Sequence, residues 1–310
     1  MSDRNFMELI HARWDEGKFV CVGLDSRRSE LPESLVKISE FPQLDFNRAI
    51  IDATSDLAGC YKINIAFYED QGSAGLDVLR QTIDYIKLVA PDVPIILDAK
   101  RGDIGNTNEG YIAGAFHWLG ADAITVPPYM GQKSLQPILD CSNKGVIVLC
   151  RTSNPGAGEF QDRIVPLTDE ETQNWPRRVL SKHNGIERQS LASMHAVRLY
   201  KLVAHKVASE WNANGNCGLV VGATYPEELA QVREIAGELP ILIPGIGPQG
   251  GDLEAALLAG FDQNQRGVLI NSSRGIIFAS KEADFAEAAR EATHQLHDQI
   301  TAIRRELAHV

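Results

Sequence analysis

VPIILDAKRGDIGNT, residues 93–107, opens as an apolar run and closes as a string of opposite charges. A run without polar alternation suits a strand of a parallel sheet buried on both faces. Seven other runs share that character: FVCVGLD (19–25), CYKINIAF (60–67), ADAITVPP (121–128), GVIVLC (145–150), CGLVVGA (217–223), PILIPGIG (240–247) and GVLINSS (267–273). Amphipathic stretches such as DVLRQTIDYIKLVA (77–90) and PEELAQVREIAGEL (226–239) lie between them. Strands alternating with helices imply right-handed βαβ units, and eight such units predict an α/β fold, the closed (β/α)8 TIM barrel. Asp25, Lys62, Asp98, Lys100, Ser153 and Gln249 fall at the C-terminal ends of runs, where barrel enzymes assemble their sites.

No internal repeat, low-complexity tract or Pro/Gly/Ser-rich linker breaks the pattern, so residues 1–310 read as one barrel domain. The exceptional interval is 151–216, after the fifth run, which is long for a βα connection. Within it NPGAGEFQDRIVPLTDEETQNWPRR (154–178) is expected to form a lid or insertion, and SLASMHAVRLYKLVAHKVASEW (190–211) the helix that returns to the sheet. Phe285, Ala289, Ala292, Leu296, Ile300, Ile303 and Leu307 form one helical stripe, expected to pack on the barrel or a partner.

The chain carries a net charge of −11, from 41 acidic and 30 basic residues. That excludes a general nucleic-acid or anionic-membrane binder, but leaves room for a small anion held in a local site. No run of about 18 uncharged apolar residues, the length a membrane helix needs, is present. The first residues, MSDRNFMELIHARWDEGKF, lack an apolar signal core, and the five cysteines are scattered singly. Both features predict a cytoplasmic protein with buried thiols. His294 and His297 form an H-x-x-H with no acidic or cysteine partner positioned beside them, which reads as a solvated helix face rather than a metal site.

The chemistry concentrates in LDAKRGDIGNT (97–107). Residues i and i+2 of a strand share a face, so Asp98 and Lys100 are expected to point together into the barrel mouth. Asp103 follows on the loop, and Lys62, at the matching end of the second run, can reach the same place. Alternating carboxylates and ammonium groups keep one another ionised. Such an array suits the stabilisation and then protonation of a carbanion; the competing reading is a structural ion-pair network at a strand end. PGIGPQGGD (244–252) contains a literal G-x-G-x-x-G, but it follows the seventh run, includes Pro248 and lacks the acidic residue a dinucleotide site needs about 20 positions on. With Arg274 at the end of run eight, it reads instead as the phosphate site that loops seven and eight of a barrel recurrently form.

These motifs together resemble the orotidine 5′-phosphate decarboxylase family. The D-x-K-x-x-D-I-x-x-T pattern at Asp98, Lys100, Asp103, Ile104 and Thr107 is similar to the family signature, and VGLD (22–25), YKIN (61–64), TSNPG (152–156) and PGIGPQGGD followed by Arg274 occur in the family's order. The length and the long fifth connection resemble the longer bacterial form. The resemblance implies decarboxylation of orotidine 5′-phosphate to UMP, the last step of pyrimidine nucleotide synthesis, without cofactor or metal. It implies that Lys100 protonates C6 as carbon dioxide leaves, that Asp98 sits near the departing carboxylate, and that Lys62 and Asp103 complete the charged array. It further implies a homodimer in which Asp103 and Thr107 reach the neighbouring subunit's site. Asp25 would hold the ribose with Lys62, and Ser153 would read the pyrimidine edge. Gln249, Arg274 and the glycine-loop amides would grip the phosphate, with Ile104, Pro244, Ile246 and Gly250 as further substrate contacts. Three alternatives remain beside it: another phosphate-sugar decarboxylase or aldolase on the same barrel, Schiff-base chemistry on Lys62 or Lys100, and a barrel that only binds a phosphorylated metabolite.

Overall fold

The computed structural model describes residues 4–173, 175, 195–246 and 251–308. Each apolar run contributes one strand: β1 (Val20–Gly23), β2 (Ala58–Asn64), β3 (Ile95–Asp98), β4 (Ala123–Val126), β5 (Gly145–Arg151), β6 (Cys217–Val221), β7 (Ile241–Pro244) and β8 (Val268–Ser272). All eight pair in parallel with their sequence neighbours, and β8 closes the ring on β1. Val22 thus faces Tyr61 on one side and Ser272 on the other. Nearly every strand residue is buried, as both faces of the sheet are covered.

The amphipathic segments become the outer helices. Gly72–Val89 buries Leu79, Ile83 and Ile86, while Pro226–Ala236 buries Leu229, Val232 and Ile235. The C-terminal stripe belongs to the helix Phe285–Leu307, which packs on the barrel: Phe285, Ala289 and Ile300 are buried, and Phe285 stacks on Phe46 at 5.0 Å. Among the described residues, no helix is long and apolar enough to cross a membrane.

The end of the barrel away from the catalytic-looking residues is sealed by the helix Phe6–Asp15, whose N-terminus is capped by the Asn5 side chain. Phe6, Ile10 and Trp14 are buried there, and Trp14 donates to the Val268 carbonyl at 2.9 Å. A Cβ at Gly145 would fall 2.3 Å from the Phe6 ring, so β5 must begin with glycine for the helix to approach. On the same side Arg233 donates to the carbonyls of Gly237, Leu239, Gly260 and Gly267, tying together the loops that lead into β7 and β8. Burial lowers its pKa to about 10.

The interval after β5 differs in one respect from the expectation. Residues 190–211 do not form a single returning helix: Ala196–Arg198 is a strand, paired antiparallel with Ile164–Pro166. The helix begins only at Leu199, continuing to Lys206, and widens into a π-helical turn over Val207–Trp211. The cause is a local period of two, with Val197 buried between a half-exposed Ala196 and an exposed Arg198. Residues 190–194 of that stretch lie outside the described residues.

Replacing Arg233 by Met should lower stability by roughly 3 kcal/mol, because four carbonyls lose a charged donor at once. The urea unfolding midpoint measures it, and a loss below about 1 kcal/mol would show that water satisfies those carbonyls instead.

Candidate active site

The C-terminal ends of the strands surround a cavity of about 460 Å³. Asp25 sits just past β1 and is held from three directions. Its Oδ1 accepts from the Asn64 amide and from Lys62 Nζ, both at 3.2 Å, and its Oδ2 accepts from Ser273 Oγ at 2.7 Å. That last bond needs β1 and β8 in close contact: a Cβ at Gly23 would fall 1.9 Å from Ser273 Oγ.

Lys62, on β2, has only 6% of its side chain exposed and lies between two carboxylates, 3.2 Å from Asp25 and 3.5 Å from Asp98. Burial works against its ammonium, but Asp25 and then Asp98 outweigh that and hold its pKa above the ordinary lysine value. Asp98 ends β3, with Oδ1 accepting from Lys100 Nζ at 2.7 Å and from Thr125 Oγ1 at 2.8 Å. Burial alone would raise its pKa; Lys62, Lys100 and the two donors reverse this and bring it below the usual carboxylate value. The resulting line, Asp25–Lys62–Asp98–Lys100, alternates in sign along its length.

Lys100 joins this line by a route that strand alternation does not describe. The strand stops at Asp98, the Ala99 amide turns back to the Leu97 carbonyl, and Lys100 takes a left-handed backbone with φ +49°. A side chain rarely adopts that conformation, and it persists only where its surroundings fix it. Here Thr125 Oγ1 accepts from the Lys100 amide at 3.0 Å while donating to Asp98. One buried hydroxyl on β4 therefore spends its single proton on Asp98 and a lone pair on Lys100.

Asp103 does not join the array of its own chain. Its carboxylate accepts from the Ile104 amide, and its backbone is clasped by Asn108, which also reaches the Ser134 carbonyl. Ile104 and Thr107 are exposed beside it, at the start of the helix Gly105–Ile112. None of the three lines the cavity.

The remaining residues from the sequence reading converge from the other half of the ring. Ser153 follows β5 and lines the cavity; Gly222, after β6, makes room for it, since a Cβ there would fall 2.6 Å from the Ser153 Cβ. Pro244 and Ile246 line the same cavity, with Gly245 between them at φ +100°. Arg274 lines it from the first turn of the short helix Arg274–Ile277. Gln249 and Gly250 lie outside the described residues.

Several lining or supporting residues were given no role by the sequence: Asn64, Thr125, Ser273 and the apolar wall of Leu149, Val220 and Leu242. Thr125 did leave a trace, as a hydroxyl in the otherwise apolar run AITV.

Comparison with known proteins agrees with this fold. A model of the orotidine 5′-phosphate decarboxylase / HUMPS family matches residues 18–292. The orotidine 5′-phosphate decarboxylase of Ralstonia pickettii is 45% identical, the alignment covering 96% of this chain and 99% of that one. That of an Azoarcus species is 44% identical over 97% of this chain and all of its own. Among solved structures, the Leishmania donovani OMP decarboxylase superposes with a TM-score of 0.75 at 35% identity, covering 97% of this chain and 98% of that one. A fold, a charged array and relatives that agree over nearly the whole length lead to one assignment: the chain belongs to the orotidine 5′-phosphate decarboxylase family.

Proposed function

We propose the following division of labour for the decarboxylation of orotidine 5′-phosphate to UMP and carbon dioxide, the last step of pyrimidine nucleotide synthesis and this enzyme's reaction. The observation that carries it is the alternating line of Asp25, Lys62, Asp98 and Lys100 at the mouth of the barrel. The bond from C6 to the carboxylate breaks heterolytically, and its electron pair stays on C6. Lys100 supplies the proton that C6 then takes; with 49% of its side chain exposed, it is the member of the line with most freedom to reach substrate. Asp98 faces the departing carboxylate, Lys62 and Asp25 hold the ribose, and Ser153 reads the pyrimidine edge. Arg274, Gln249 and the backbone after β7 hold the phosphate, with Pro244, Ile246 and Gly250 shaping that end. The fixed charges act without reorganising as charge develops, and Leu149, Val220 and Leu242 give the cavity an apolar wall.

The whole chain works as one barrel domain, and as a homodimer with shared sites. Asp103, Ile104 and Thr107 do not line their own cavity, which fits service to a partner's site. Ile104, Met130 and Tyr129, the last 90% exposed, give that face the apolar character of an interface. Five free cysteines, four of them buried, fit a cytoplasmic setting.

Lys100→Ala should nearly abolish turnover while leaving UMP affinity within a few fold, because proton delivery belongs to the transition state. Near-normal turnover, measured by loss of substrate absorbance, would sink the assignment.

Thr125→Val removes a donor to Asp98 without changing shape. The Asp98 pKa should rise, so the acid limb of kcat should move to higher pH. An unmoved limb with unchanged kcat would show that Thr125 does not set the state of Asp98.

Shared sites predict complementation. In a mixed dimer of Lys100→Ala and Asp103→Ala subunits, one site carries both lesions and the other none, so random pairing restores roughly a quarter of wild-type activity. If Asp103 served its own chain, mixing would restore nothing.

A further inference from the structure

The segment that follows β5 is tied to the cavity by a compact set of contacts. Gln161 ends the short helix Gly158–Gln161 and grips Thr152 twice: its Oε1 accepts from the Thr152 amide at 2.9 Å, and its Nε2 donates to Thr152 Oγ1 at 2.9 Å. The Thr152 hydroxyl in turn donates to Asn154 Oδ1 at 2.7 Å, closing a ring of bonds around Ser153. Arg151 anchors the other side. It is buried, donates to the Thr152 carbonyl at 2.9 Å, pairs with Asp162 at 3.2 Å and stacks over the Tyr225 ring at 4.3 Å. Thr152, Ser153 and Asn154 all line the cavity, whereas Gln161, Asp162 and Tyr225 do not.

We infer that Gln161 is a positioning residue for recognition of the pyrimidine, and that the first helical turn of the insertion exists to hold the Thr152–Asn154 loop at its working height. The amide side chain is matched to the task. A single group must accept from a backbone N–H and donate to a hydroxyl of the same residue, which Gln does and an acid or an aliphatic side chain does not. From behind, Gly222 allows Ser153 to sit against β6, so the loop is held from both faces. A recognition hydroxyl displaced by a fraction of an ångström loses its bond to the base, while the phosphate grip, built on the β7 and β8 side, is untouched.

The inference rests on the reading of Ser153 as the residue that meets the base, and the experiment separates the two. UMP and ribose 5-phosphate, which lacks the base, are titrated into wild type, Ser153→Ala and Gln161→Met by calorimetry. Gln161→Met should weaken UMP roughly tenfold, as two hydrogen bonds are lost, and leave ribose 5-phosphate unchanged. Saturated kcat should stay within a few fold, giving a split toward KM that general damage to the barrel would not produce. If Gln161→Met binds UMP as wild type does, or loses both ligands equally, the inference is overturned. If Ser153→Ala itself shows no base-selective loss, the reading of Ser153 fails and takes the inference with it. Should Gln161→Met not fold, Gln161→Asn decides. Its amide is one methylene too short to span both Thr152 groups, so base-selective weakening supports the inference and wild-type affinity for UMP overturns it.

Discussion

Two charges, on Lys62 and Asp98, must stay ionised at the edge of a protein interior, and much of the structure answers to that constraint. A lone buried ammonium or carboxylate would neutralise rather than bear the loss of water. Lys62 and Asp98 avoid this by standing between opposite charges: Asp25 and Asp98 flank Lys62, and Lys62 and Lys100 flank Asp98. Removing any one weakens the compensation of its neighbours, which makes the set a unit rather than four separable contributions. The barrel supplies what such a unit requires, a closed ring of strands paired in register. Lys62 and Asp98 stand on adjacent strands in fixed register, and Asp25 is reached from β2 and from β8.

That rigidity has a second side at Lys100. The residue most exposed of the four is attached through the least favourable backbone, and Thr125 holds it there. Strain concentrated at one working residue, with support from a neighbouring strand, is a common way for a stable fold to carry a reactive group. The opposite end of the barrel shows the contrasting use of charge: Arg233 donates to four carbonyls and does not line the cavity.

The eight strands were legible because burial on both faces writes an apolar run that polar loops cannot imitate. The charged array was legible for a related reason, since Lys62, Asp98 and Lys100 interrupt or end such runs where an apolar residue would be expected. The route taken by Lys100 was not, because a left-handed residue that is neither glycine nor asparagine leaves no compositional mark. Thr125 and Ser273 were missed because a hydroxyl within or beside an apolar strand is ordinary, and only its geometry gives it a role. The stretch around Ala196–Arg198 misled for a different reason: three residues of alternation are too few to outweigh the helical pattern that follows them.

The hydrogen bond from Ser273 to Asp25 joins residues from the two ends of the ring, 248 positions apart. A chain made on a ribosome therefore exposes Asp25, Lys62 and Asp98 long before Ser273 has been synthesised. The ring cannot close until the final strand arrives to pair with the first. Long-range closure of that kind is slow, because the entropy of a large loop is spent before the contacts that repay it can form. The constellation that does the chemistry is encoded early and completed last, so a truncated product of this gene would carry most of the array without its geometry.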